Sequence, residues 1–130
     1  MKIKRAQANI VLSILVGLFI VFSTLVGLNL IAEYNAHAIN VTNENEDDFN
    51  SWYTEEHIPA LLKVPGVLSA RRYKSSEGTH RYVAIYHLTQ PEITKTDAWS
   101  IAIDTPWSSR IRPHFQDSIR ILARKYERAI

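Results

Sequence analysis

The stretch of sequence that decides the fold is FNSWYTEEHIP, residues 49–59. Aromatic and acidic residues recur in it at the three- and four-residue spacing that places side chains on one helix face. The residues on this face are Phe49, Trp52, Tyr53 and Glu56. His57 follows one turn after Tyr53. The spacing therefore predicts an amphipathic helix with an aromatic face and a histidine at its end.

Pro59 sets the predicted end of this helix, because proline has no backbone N–H and restricts the residue before it. We expect the helix to run from about Asp47 to His57, to break or bend at Pro59 and to add one more turn at residues 60–62. The polar residues 42–46 are predicted as the loop that caps its start. At the end of such a helix, His57 could equally serve as a C-terminal cap.

The segments around this helix alternate between strand and helix patterns. The predicted strands cover residues 34–41, 67–74, 80–88 and 118–126, and a second predicted helix covers 96–103. Residues 64–66, 75–78 and 105–107 are predicted turns or loops, and residues 110–116 are predicted to be irregular. The last segment, 118–126, fits a strand and a helix equally well. The order predicts an α+β fold of the ferredoxin-like βαββαβ type, whose helices cover one sheet face and leave the other to a partner.

A candidate membrane segment precedes this domain. Residues 10–32 contain no charged side chain, and a helix of these 23 residues is long enough to span a hydrocarbon core of about 30 Å. The tip, residues 1–9, carries three basic residues and no acid, so the positive-inside rule predicts a cytoplasmic N-terminus. The domain, residues 34–130, would then lie on the outer side, which is the periplasm in a bacterium.

The alternative to a retained transmembrane helix is a secreted protein. Ala36-His37-Ala38 has the small-x-small form of a signal-peptide cleavage site. The apolar segment is longer than the core of a signal peptide, and cleavage after Ala38 would cut into the first predicted strand. Both observations favour the membrane anchor.

Composition excludes several classes of protein. The 130-residue chain contains no cysteine, so disulfides, thiolate metal sites and cysteine nucleophiles are excluded. Its formal net charge is +2, which does not indicate a nucleic-acid-binding protein. It lacks a phosphate-binding loop, a dinucleotide fingerprint and a G-x-S-x-G motif. Its histidines are scattered without a ligand spacing, so no metal site is predicted.

Five short motifs, taken in order, resemble the EthD-like branch of the dimeric α/β-barrel superfamily. They are Phe49-x-x-Trp52-Tyr53-x-x-Glu56-His57-x-Pro59, Val64-Pro65-Gly66-Val67, Arg71-Arg72-Tyr73, Tyr82-x-Ala84-x-Tyr86 and Thr105-Pro106-Trp107. The resemblance covers about residues 34–128. It implies that 118–126 is the last strand, and that two ferredoxin-like subunits pack their open sheet faces together as a homodimer. Most such proteins are soluble and cytoplasmic, and the predicted membrane segment departs from that pattern.

The resemblance and the residue types together give a candidate site. In the resembled family a matching histidine lies near the cavity, so His57 is the candidate acid or base for a small aromatic or quinone-like molecule, with Glu56 beside it to orient the substrate. The candidate substrate-binding residues are Trp52, Tyr53, Arg72, Tyr86, Trp107 and Arg110. Arg72 is expected to share a strand face with Leu68 and Ala70. A plain aromatic core and solvated arginines are the alternative interpretations.

Three functions stay open at this point. The first is a cofactor-free enzyme that uses His57 as acid or base. The second is a non-catalytic ligand-binding or scaffold module that the transmembrane helix presents at the membrane. The third is a haem-handling protein with a single histidine ligand, because the superfamily also includes haem-degrading and haem-dependent enzymes. No local motif requires a cofactor, so none is predicted, and haem is the one that the superfamily allows.

Overall fold

The computed structural model describes residues 33–125, which form a four-stranded antiparallel sheet with helices against one face. The predicted basic tip at residues 1–9 and the predicted transmembrane helix at 10–32 lie outside the described residues. Between residues 33 and 125, no helix is long and apolar enough to cross a membrane.

The strands are β1 (Glu33–Val41), β2 (Val67–Lys74), β3 (Tyr82–Leu88) and β4 (Phe115–Arg124). Their order in the sheet is β2-β3-β1-β4, and each neighbouring pair is antiparallel. This is the strand order of the split βαβ fold, so the predicted ferredoxin-like class is confirmed. The ambiguous last segment is a strand and begins at Phe115, inside the region predicted to be irregular.

The first helical region covers the predicted span, including the predicted extra turn at residues 60–62, but it does not end at His57. Helix α1 (Glu46–Trp52) continues through a π-helical turn (Tyr53–His57) directly into α2 (Ile58–Leu62). The predicted end at His57 is therefore wrong, and His57 does not cap a C-terminus. Pro59 is tolerated because it lies in the first turn after the π-helical turn, where a missing N–H costs little. The predicted side-chain cap at 42–46 is also wrong, because the 3₁₀ turn Asn43–Asn45 leads straight into α1 without one.

A second helical region follows β3. Helix α3 (Asp97–Ile103) matches the prediction, and the Thr96 hydroxyl caps it by accepting the N–H of Trp99. Helix α4 (Pro106–Ile111) replaces the predicted turn at residues 105–107. It forms because Thr105 caps it and proline suits the first helical position. A 3₁₀ turn, Arg112–His114, then leads into β4.

The core lies between the helices and one face of the sheet. Its largest buried side chains are Trp52, Tyr53, Phe49, Ile39, Leu61 and Leu88. The opposite sheet face carries the alternate strand residues, which include Tyr34, Ala36, Ala38, Val83, Ile85, Ile119 and Ile121. Ile119 and Ile121 on this open face are 46% and 50% exposed. The prediction that helices cover one face and leave the other bare is confirmed for residues 33–125.

An irregularity in β2 changes which residues face the helices. The register against β3 shifts between Val67 and Ser69, so the strand contains a bulge. Val67 and Ala70 both pack against the core, and Leu68 is 54% exposed. The predicted common face of Arg72, Leu68 and Ala70 is therefore wrong for Leu68, because the extra residue interrupts the two-residue alternation.

Candidate functional site

A small cavity lies between the sheet and the helices beside His57. Its volume is about 30 Å³, which is room for one water molecule. The lining residues are Asn35, His37, Trp52, His57, Tyr86, Trp99, Ile103, Arg112, Phe115 and Arg120. The cavity thus brings together residues from five separate parts of the chain.

His57 reaches this cavity through the π-helical turn. Its ring stacks on that of Trp52, five residues earlier, with the ring centroids 4.1 Å apart and the planes at 27°. The side chain is buried, and Nδ1 has no hydrogen-bond partner within residues 33–125. Burial, together with the charges of His37 and the nearby arginines, lowers the pKa of His57 to about 3. His57 is therefore a neutral imidazole at pH 7.

A second buried histidine lies beside it. His37 Nε2 is 2.6 Å from the Ser118 hydroxyl oxygen, and His37 Nδ1 is 3.4 Å from the Tyr53 hydroxyl oxygen. Burial, followed by the charge of Arg120, lowers the pKa of His37 to about 4. Sequence reasoning considered His37 only as part of a cleavage site. One sequence signal for His37 existed. His37 lies at the same two-residue spacing in β1 as the buried Ile39 and Val41, which places all three on the core-facing side of the strand.

Two tyrosines supply hydroxyl groups to the same region. Burial raises the pKa of Tyr53 to about 12 and that of Tyr86 well above its usual range, so both stay protonated at neutral pH. The Tyr86 hydroxyl is close enough to Tyr53 to affect its pKa, yet no hydrogen bond of normal geometry reaches it within the described residues. The Tyr86 ring lies edge-on to the imidazole of His57, with the ring centroids 6.4 Å apart.

The charges at the cavity are all positive. Its lining includes Arg112 and Arg120 but no carboxylate. Arg120 lies on β4 directly opposite His37 on β1, and therefore on the helix-facing side of the sheet. Arg112 follows Trp107 and was considered from the sequence as a residue that could hold a carboxylate or a lipid phosphate, whereas Arg120 was not predicted for the site. The position of Arg120 depends on the register of β4, which no local pattern predicts.

Four of the predicted site residues lie at or beside the cavity. Trp52, His57 and Tyr86 line it, and Tyr53 packs between them and His37. Arg72 approaches from the other side: its guanidinium lies 4.1 Å from the centre of the Tyr53 ring, and its Nη2 donates to Asn50 Oδ1 at 2.8 Å. Arg72 thus holds Tyr53 in place and does not line the cavity.

The other three predicted site residues lie elsewhere. The Glu56 carboxylate accepts a hydrogen bond from the Thr105 hydroxyl. The indole N–H of Trp107 donates to Asp48 Oδ1 at 3.0 Å, and Arg110 donates to the same oxygen at 3.2 Å. The structure therefore does not bring Glu56, Trp107 or Arg110 to the cavity beside His57.

This arrangement favours binding of an acidic hydroxyl group. Neutral imidazoles can accept a hydrogen bond or a proton, and the aromatic walls suit a flat, apolar ring. The surrounding arginines stabilise a negative charge that develops on the ligand. Within residues 33–125, no group of three or more histidine or acidic side chains is placed to hold a metal ion.

Comparison with protein families identifies one match. The family model described as a domain of unknown function, DUF4286, matches residues 34–120, which is most of the described domain. No curated protein is similar enough in sequence to count as a match.

Solved structures share the fold at low sequence identity. A dimeric ferredoxin-like protein from an uncultured marine organism has a TM-score of 0.58 and 14% identity, covering 78% of this chain and 94% of that one. The heme degrader MhuD from Mycobacterium tuberculosis has a TM-score of 0.54 and 16% identity, covering 75% and 98%. An EthD family protein from Bacillus halodurans has a TM-score of 0.50 and 15% identity, covering 75% and 99%. These similarities confirm the ferredoxin-like fold that the EthD-like resemblance implies.

Proposed function

The chain belongs to the DUF4286 family, a domain of unknown function, and we propose that its folded domain binds a small aromatic or quinone-like molecule whose acidic hydroxyl group enters the cavity beside His57. The observation that carries this proposal is the buried Nδ1 of His57, which has no hydrogen-bond partner within residues 33–125. A buried polar atom without a partner costs about 1–3 kcal/mol, and a ligand hydroxyl that donates to it would recover that energy.

The chemistry of the site follows from the neutral state of His57. A ligand O–H bond breaks as the proton moves to the imidazole nitrogen, which leaves an oxyanion on the ligand. The ring of Trp52 holds the imidazole in one orientation by stacking on it. Arg112 and Arg120 favour the oxyanion, and the oxyanion in turn raises the low pKa of His57, so that each charge supports the other.

A non-catalytic binding module is the second candidate function. It is favoured by the low pKa of His57, about 3, because such an imidazole is a weak base and can accept a hydrogen bond without taking the proton. The two candidates share one binding site and differ in whether the ligand is converted. Incubation with candidate ligands, followed by mass spectrometry of the products, separates them.

Haem does not fit the cavity in this conformation. The solved structure of MhuD is described with two hemes in its active site, and His57 is a side chain that could ligate iron. The cavity beside His57 nevertheless measures about 30 Å³, and Trp52 covers one face of the imidazole. We propose no step that involves haem, and an absorbance spectrum of the purified protein tests this directly.

We also propose that the domain forms a homodimer through its open sheet face. Exposed Ile119 and Ile121 lie on that face, where association would remove them from water. The marine protein of the same fold is described as dimeric. The resemblance stated above implies the same arrangement, with two sheets packed into a barrel.

The proposed location is a membrane, with residues 10–32 as a single transmembrane helix and the domain on the outer side. Support comes from the 23 uncharged residues and the basic tip before them. Ala36-His37-Ala38 lies in the middle of β1, which pairs with both β3 and β4, so cleavage there would remove part of a central strand. Carbonate extraction and protease protection of the full chain in membranes test the anchor and its orientation.

The binding proposal is tested with the full chain in detergent and a panel of phenols and hydroxyquinones. Binding is followed by tryptophan fluorescence, because two of the three tryptophans, Trp52 and Trp99, line the cavity beside His57. We expect His57→Gln to weaken binding and His80→Gln, on an exposed loop, to leave it unchanged. Equal binding by the wild type and the His57 variant would contradict the proposal.

A further inference from the structure

A groove over the edge strand β4 adjoins the cavity beside His57. The groove has a volume of about 300 Å³, within the range of small-molecule sites. Four residues line both the inner cavity and the groove: Asn35, Trp99, Ile103 and Arg120. We call the two adjoining spaces together the channel; His57 lines its inner part, and Arg120 lines both parts.

Arg120 differs from the arginines around it because its guanidinium has no hydrogen-bond or ion-pair partner among the described residues, 33–125. Arg112 pairs with the carbonyl of Ile103 and with Asp104, and Arg124 binds Glu33 at 2.7 Å. Within residues 33–125, the guanidinium of Arg120 makes no ion pair or hydrogen bond of that kind. It is nevertheless close enough to His37 and His57 for its charge to affect both.

The channel also lacks any group that could balance this charge. Neither the inner cavity nor the groove has an aspartate or glutamate in its lining. The histidines at the inner end are neutral at pH 7. Arg120 is exposed to solvent on the edge strand, and its guanidinium offers several donors in a planar fork that matches a carboxylate, so an anionic group of a ligand in the groove is a suitable partner for it.

We infer that the ligand of this channel is a hydroxyaryl carboxylate, with its carboxylate held by Arg120 in the groove and its hydroxyl directed towards His57. The aromatic ring would lie against Trp99, which lines both spaces. This inference rests on the proposed function and narrows its ligand class. It assigns Arg120 a role in specificity, separate from the proton-accepting role of His57.

The test compares two probes that differ only in charge: 4-hydroxybenzoate and its methyl ester. Both are titrated calorimetrically into the full chain in a non-ionic detergent at pH 7. We expect the wild type to bind the acid about tenfold more tightly than the ester, as one charge-assisted contact provides. Arg120→Gln should remove this preference, so that the variant binds the acid and the ester with similar affinity.

Arg110→Gln is the matched control, because it removes the same charge from a side chain that pairs with Asp48 and lines neither space. It should keep the preference for the acid. If the ester binds but the acid has no advantage, or if Arg110→Gln loses the same preference, the role of Arg120 is refuted while the binding proposal stands. If neither probe binds, both proposals are overturned together.

Discussion

The rings of Trp52 and His57 stack with their centroids 4.1 Å apart, although the two residues are five positions apart in the chain. In a regular α-helix, neighbours on one face are three or four positions apart. The π-helical turn Tyr53–His57 adds one residue to the turn and brings position 57 over position 52. The same turn moves Glu56 away from the aromatic face, where it accepts a hydrogen bond from Thr105. One extra backbone residue thus exchanges the predicted glutamate for the histidine at the cavity.

The first prediction concerns the loss of folding stability at acidic pH. His37 and His57 have pKa values of about 4 and 3 in the folded state, below the ordinary value of 6.5. The unfolded chain therefore takes up protons first, and stability present above pH 6.5 is lost as the pH falls towards 4 and then 3. When the pH falls from 7.5 to 5, we expect each of these histidines to lower the free energy of unfolding by about 2 kcal/mol.

Urea unfolding of the full chain at both pH values, followed by circular dichroism, measures this loss. The double variant His37→Gln, His57→Gln should lose less stability on acidification than the wild type. His80→Gln should behave like the wild type, since His80 lies on an exposed loop. An unfolding midpoint that does not change with pH in the wild type would show that the buried histidines are not neutral in the folded state.

The second prediction concerns the buried hydrogen bond between Trp52 and Ser108. Its indole N–H donates to the hydroxyl of Ser108 at 3.1 Å, and Ser108 is fully buried. Ser108→Ala leaves that N–H buried without its acceptor, so we expect the free energy of unfolding to fall by about 1–3 kcal/mol. Ser109→Ala, at the exposed neighbouring position, is the control and should change little. Similar losses in the two variants, measured by urea unfolding, would rule out the hydrogen bond as the cause.

The third prediction concerns the turn before β2. Gly66 has φ +93°, and a Cβ added there would overlap Cδ1 of Ile93. Gly78 has φ +105° but no atom within 4 Å of its added Cβ. Gly78→Ala should lower the free energy of unfolding by about 1 kcal/mol, through backbone strain alone. Gly66→Ala should lower it by about 1–3 kcal/mol more. Thermal unfolding of both variants compares them, and equal melting temperatures would contradict the crowding at Ile93.

The fourth prediction concerns the homodimer. Ile121→Asp places a charge on the open sheet face, where burial without a partner is costly, so we expect the full chain in detergent to become monomeric. Ile101→Asp is the control, because Ile101 is 75% exposed on α3 and lies away from that face. Sedimentation equilibrium measures both. A dimer that persists in Ile121→Asp would place the association elsewhere, and a wild type that is already monomeric would refute the homodimer.

Much of the fold could be predicted from local patterns. The strand β2 was predicted with its observed bounds, 67–74, and α3 to within one residue. These elements are set by short-range alternation and by caps such as Thr96, which are visible in the sequence. Helix α4 was missed because Thr105-Pro106 serves as a turn signal and as a helix start, and only the packing of Trp107 and Ser108 distinguishes the two.

In the candidate site too, local sequence patterns predict some features and only the tertiary structure decides the others. The sequence by itself determined the ferredoxin-like order of elements and the aromatic run that contains His57, because periodicity and turn residues act within a few positions. Tertiary structure alone decided which residues join His57: the π-helical turn displaced Glu56, and strand register placed His37 and Arg120 opposite each other. Register depends on pairing between strands more than 80 positions apart, whose energy comes from burial of a whole sheet face and is not visible in any short stretch.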